Sequence, residues 1–189
     1  MLGAVRLAVD RATGGRQIPW DNSSLEAAFY FRPTAMRAAN GGPVSSQTFA
    51  TAATYGLLLP EDLKTQSYFS PGPGEAATFV GSWSSGNERW NGAGRQVMLV
   101  VLSADGDAGR AEVVFSQGPP GPRSINQNPA NFVRRIAVLK DNTLQFRAFK
   151  GWIYKFRRVS DQELEGTFLS PPTSSPPNLT GLIRLYRID

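Results

Sequence analysis

Neither cysteine nor histidine occurs anywhere in this sequence of 189 residues. Without cysteine there is no disulfide and no thiolate nucleophile, and the redox compartment cannot be read. Without histidine the most common general base is missing. Together the two absences exclude Ser-His-Asp and Cys-His systems and His/Cys zinc sites. Carboxylates, Lys, Tyr, Ser and Thr remain, and their spacing marks no catalytic, metal-binding or cofactor-binding set. Long apolar runs are missing too. No stretch reaches the roughly 20 apolar residues of a spanning helix. Arg6 and Asp10 break the apolar stretch near the start, so no signal peptide is read there. Localisation is therefore cytoplasmic by default, with export only if a longer precursor carries a signal.

What is present favours a folded domain. Hydrophobic residues make up 41 % of the chain, enough for a core, and the net charge of +5 is a modest basic excess. Residues 2–13 read as a short helix, with Leu2, Val5 and Val9 on one face and Gly14 and Gly15 ending it. An extended "RQIPW" and a short strand "FYF" follow. Residues 33–78 are rich in Ala, Thr, Ser, Gly and Pro and read as a linker, with "GLLLPEDLKTQ" as a segment that either docks on a neighbour or forms one loose turn.

From Phe79 onward eight extended runs appear, each bounded by Gly, Pro, Asn, Asp or Ser. Leu144, Phe146 and Ala148 alternate with Gln145 and Arg147; Trp152, Tyr154 and Phe156 alternate with Ile153, Lys155 and Arg157. Such alternation is that of half-buried strands. Asp141-Asn142 is a two-residue hairpin signal. Eight sequential strands with short links predict a mainly β fold, an antiparallel up-and-down barrel over 79–189, whose closure removes both sheet edges. Strand count alone does not fix closure, and a two-sheet sandwich stays open.

Two resemblances attach to this outline. The order Gln17, Ile18, Pro19, Ser24, Leu25, Phe29, Tyr30, Phe31 resembles the C-terminal end of caspase-like peptidases and their bacterial relatives. There a last helix leads through a Gln-aliphatic-Pro segment and a Ser-Leu step into a closing aromatic strand. The resemblance covers about residues 1–31 and implies that 1–32 is an orphan helix-strand tail of an α/β caspase-like domain, with the catalytic domain as partner. That family works with a His and a Cys, so no catalytic residue carries over, and this chain alone is expected not to be an enzyme. The second resemblance rests on Gly81 and Trp83 at the head of the eight strands. It is to the Gly-x-Trp opening of lipocalin- and avidin-like (calycin-like) barrels, and to barrels appended to bacterial caspase-like proteins. It implies that Trp83 plugs one end beneath a basic residue of the last strand, Arg184 or Arg187.

The expected function is thus a non-catalytic C-terminal portion of a caspase-like peptidase, whose barrel binds a ligand, a substrate or the protease domain. An independent lipocalin-like small-molecule-binding barrel is one alternative. A basic-surface module for an anionic polymer is another, motivated by Arg134, Arg135, Lys140, Arg147, Lys150, Lys155, Arg157 and Arg158. The aromatics of that stretch fall on the opposite parity from the cations, which argues against a nucleic-acid platform. For a ligand the candidates are Trp90, read as an exposed aromatic of the loop "SSGNERWNGAGR", Arg123 and Asn126 of the polar loop "QGPPGPRSINQNPANF", and Tyr154.

Overall fold

The computed structural model describes residues 43–65, 70–71, 74–90, 94–122, 127–174 and 178–189. The expected caspase-like tail over 1–32, with its helix and strand, lies outside the described residues.

The eight runs form eight strands: β2 (Gly81–Ser84), β3 (Val97–Asp105), β4 (Arg110–Gln117), β5 (Asn131–Lys140), β6 (Thr143–Ala148), β7 (Trp152–Ser160), β8 (Glu163–Leu169) and β9 (Thr180–Arg187). Each pairs antiparallel with the next, and β9 returns to β2 through Trp83 opposite Arg187 and Ser84 opposite Tyr186. The sheet is a closed barrel and not a sandwich. Asp141 and Asn142 both adopt positive φ, 49° and 56°, as the two-residue β5–β6 turn requires. A two-residue strand, β1 (Ser70–Pro71), runs parallel to β3 beyond the end of β2.

Period-two patterning fills the interior. Leu144 and Phe146, Tyr154 and Phe156, Leu164 and Phe168, and Ile183 and Leu185 point inward from β6 to β9 and are buried. One inward position must be small. A Cβ on Gly166 would stand 2.6 Å from the Phe156 ring and 2.9 Å from Ile183, so glycine lets that ring lie flat against β8.

β3 is buried on both faces, and the reason corrects the linker expectation. Residues 43–65 carry a helix, α1 (Ser46–Thr54), and a 3₁₀ turn (Glu61–Lys64). Val44, Ala52, Leu57 and Leu63 pack on Met98, Val100, Leu102 and Val114, the outward residues of β3 and β4. Ser45 caps α1, its Oγ accepting from Thr48 N at 3.2 Å. Gly56, at φ +64°, ends the helix, with Leu57 N donating back to Ala52 O at 2.8 Å. The hydroxyl of Thr48 donates to Ser82 Oγ on β2 at 2.8 Å, and Arg134 of β5 pairs with Asp62 at 2.7 Å. The segment is a strap on the outside of the barrel. Its small residues mislead because a helix lying on a sheet needs small side chains for close approach, and a composition scan scores them as linker. The barrel also begins before residue 79: the 3₁₀ turn Gly74–Phe79 contributes Ala76 and Phe79 to the interior core.

Candidate functional site: the two ends of the barrel

Antiparallel order sends the connections alternately to two ends. At one end lie the β3–β4, β5–β6 and β7–β8 turns with the start of β2. Here Trp83 is fully buried, and its indole N–H donates to Phe79 O at 2.9 Å. The Arg187 guanidinium covers the ring, 4.4 Å from its centroid. Arg187 also donates to the carbonyls of Thr78 (2.8 Å), Val80 (3.2 Å) and Asp161 (3.1 Å). The backbone of Gly81 has φ +134°, and a Cβ there would meet Asp189 Oδ1 at 2.8 Å and Arg187 Nη1 at 2.9 Å. Arg184, the other sequence candidate for this role, points outward and pairs with Glu163 at 3.3 Å. Every polar atom named at this end has a partner, so it is a lock.

The opposite end gathers the long loops and the aromatic residues. Trp90, expected on the surface, is 1 % exposed. From the β2–β3 loop its indole turns into the barrel and meets Phe115, Tyr154, Phe156 and Phe168 edge to face, at centroid distances of 6.2, 5.6, 5.9 and 5.1 Å. Four rings attract an indole more than solvent does, because burial and the edge-to-face quadrupole term act together. The loop's glycines make the excursion possible: Gly86 and Gly94, four residues either side of Trp90, have φ of 57° and 64°. Trp152 stacks on Phe168, 5.1 Å between centroids. Phe149, Lys150 and Gly151 all take positive φ (31°, 64° and 86°), which folds the β6–β7 turn so that Phe149 reaches Phe115 and Tyr154. A phenylalanine in that conformation is strained, and its ring contacts compensate.

A polar foot stands within this aromatic end. Gln117 Nε2 donates to the Tyr154 hydroxyl at 3.0 Å. Arg95, 2 % exposed, donates to the carbonyls of Gly118 (2.8 Å), Pro129 (3.5 Å) and Asn128, tying the β2–β3 loop to the β4–β5 loop. Burial pushes the Tyr154 phenol well above its ordinary pKa, partly opposed by the Gln117 hydrogen bond and the Arg95 charge. Desolvation lowers Arg95 from its usual value. Tyr154 thus stays a neutral hydroxyl that accepts from Gln117 and retains a hydrogen to donate.

Of the ligand candidates read from sequence, Trp90 and Tyr154 meet here; Arg123 and Asn126 lie outside the described residues. Gln117 and Arg95 were missed. For Gln117 a signal existed, since inward parity along β4 runs Val113, Phe115, Gln117 and so carries a polar group into the barrel. For Arg95, in a glycine-rich loop, none did.

Two further features lie outside the lumen. An open groove of about 430 Å³ crosses the outer face of β6 to β9, where Gln145, Lys155, Thr167 and Leu182 form one rank across the register. The basic stretch on this side is interrupted by carboxylates: Arg157 pairs with Glu165 at 3.1 Å, Arg158 with Asp161, and Arg134 with Asp62 and, at 3.8 Å, Glu112. These pairs engage three of the eight cations of the stretch, Arg134, Arg157 and Arg158. Among the described residues no helix is long and apolar enough to cross a membrane. No family model matches this chain, and neither a curated protein nor a solved structure matches it.

Proposed function

We propose that this chain is a non-catalytic binding module, the C-terminal portion of a caspase-like peptidase, whose barrel takes a small planar ligand at the Trp90 end. The single observation that carries the binding reading is the asymmetry of the two ends. One is locked by Arg187 over Trp83. The other joins aromatic walls to a buried, neutral hydroxyl and an amide, the pairing of apolar surface with a few placed polar groups that small-molecule sites use. The peptidase reading rests on the sequence order over residues 1–31. The lack of any Cys or His, the residues with which that family works, supports a non-catalytic role for this chain.

Two experiments test the halves separately. Titration with small heteroaromatics, followed by backbone amide shifts, should perturb β4, β7 and β8, and Tyr154→Phe should weaken binding about tenfold by removing the hydroxyl donor. Perturbations confined to the outer face would overturn the site. For the peptidase half, a caspase-like catalytic domain lacking its own last helix and strand is co-expressed with the full chain. Copurification that depends on residues 1–31 supports the reading, and its absence overturns it.

A further inference from the structure

We propose that the indole of Trp90 occupies the barrel's own ligand site, and that planar aromatic ligands enter by displacing it. This rests on the binding reading above and adds to it how the site is kept closed.

The two buried tryptophans differ in the way that separates a plug from an occupant. Trp83 belongs to a strand, its N–H donates to a carbonyl at 2.9 Å and a guanidinium covers its face. Trp90 belongs to a connection, is just as buried, and its indole N–H has no hydrogen-bond partner among the described residues. A buried donor without an acceptor is destabilising, and a side chain selected only to fill a core would be satisfied or replaced by phenylalanine. The walls around it, Phe115 on β4, Tyr154 and Phe156 on β7 and Phe168 on β8, are fixed by the sheet, while Trp90 lies between two glycines at positive φ. Rigid walls with a loop-borne occupant let the occupant leave without unfolding the barrel.

The vacated space sets the ligand chemistry. Four rings arranged around an indole accept a flat apolar body of one or two fused rings. The Tyr154 hydroxyl, held by Gln117, offers a hydrogen to an acceptor on the ring edge. A flat heteroaromatic with a ring nitrogen meets both demands and, unlike Trp90, leaves no buried donor unpaired.

The test uses the full chain labelled with ¹⁵N at the indole nitrogens, and quinoline as probe. Without ligand, the Trp90 N–H should exchange with solvent at least about 100-fold faster than that of Trp83, because it opens locally and not with global unfolding. Quinoline should bind saturably, move the Trp90 indole signal and leave that of Trp83 in place. Trp90→Ala should bind quinoline about tenfold more tightly, since no side chain competes for the space. Equal affinity for both proteins with an unmoved Trp90 signal overturns the inference while leaving a ligand site elsewhere. No saturable binding by either protein overturns the binding reading itself. Should Trp90→Ala fail to fold, the exchange rates of the unmutated protein still decide, and equal rates for the two indoles overturn the proposal.

Discussion

The Arg187 guanidinium lies 4.4 Å from the centre of the Trp83 ring, and the two residues sit directly opposite each other where β9 closes on β2. The seam of the barrel and its end plug are therefore one interaction. Truncating Trp83 removes a fully buried indole and leaves a cavity, so Trp83→Ala should cost roughly 3–5 kcal/mol. Arg187→Ala strips a cation-π contact and three carbonyl partners and should cost about 2–4 kcal/mol. Urea denaturation of both variants and the double mutant should show coupling, and independent small effects would mean that the seam closes without them.

The hydrogen-bonding contrast between the two tryptophans gives a paired prediction. Trp83→Phe loses a satisfied donor and orphans Phe79 O, and should cost about 2–3 kcal/mol. Trp90→Phe loses volume but also a buried N–H without a partner, and the two changes offset to within about 1 kcal/mol. Denaturation midpoints of the two variants check this, and a larger loss at Trp90 would show that its N–H is satisfied in solution.

Gly166→Ala should destabilise by about 1–3 kcal/mol through overpacking, because its Cβ would stand 2.6 Å from Phe156. Thermal unfolding of Gly166→Ala alone and with Phe156→Leu separates the causes. The second substitution should recover part of the loss, and no recovery would place the strain in the β8 backbone.

Alkaline stability follows from Tyr154. Burial raises its folded-state pKa above the unfolded value of 10.0, so the folded state holds the proton longer. The stabilisation is complete below pH 10 and is lost as pH rises through the folded pKa, with a slope of about 1.4 kcal/mol per pH unit. Tyr154→Phe should flatten that part of the profile in urea titrations from pH 8 to 12. An unchanged slope would mean that the phenol reaches solvent.

The strap predicts where a stable fragment begins. A chain starting at residue 79 leaves Met98, Val100, Leu102 and Val114 bare, whereas one starting at residue 43 covers them. The shorter fragment should be less stable by at least about 4 kcal/mol, from the apolar side chains returned to water. Equal stability would mean that the strap is dispensable.

Bounded extended runs were enough to place the eight strands, residue type marked the Asp141-Asn142 turn, and alternation gave the inward residues Leu144, Phe146, Tyr154 and Phe156, because side-chain parity is a local property of an extended backbone. The Gly-x-Trp resemblance also gave Trp83 its role as a plug, whereas Trp90 was expected on the surface and is buried. Trp83 lies on a strand, where parity gives direction; Trp90 lies in a loop, where only the energy of a four-ring pocket several strands away decides that an indole turns inward. The choice of Arg187 over Arg184 depended on register with β2, since a one-residue step moves a side chain to the other face of the barrel. The strap was legible only in its second half, where "GLLLPEDLKTQ" was read as a docking segment or a loose turn and Leu57 and Leu63 do dock; α1 was not seen, for a related reason. Its small residues are legible as packing only when the doubly buried β3 beneath them is known, and what pairs Val44, Ala52, Leu57 and Leu63 with Met98, Val100 and Leu102 is tertiary contact, which no local pattern encodes.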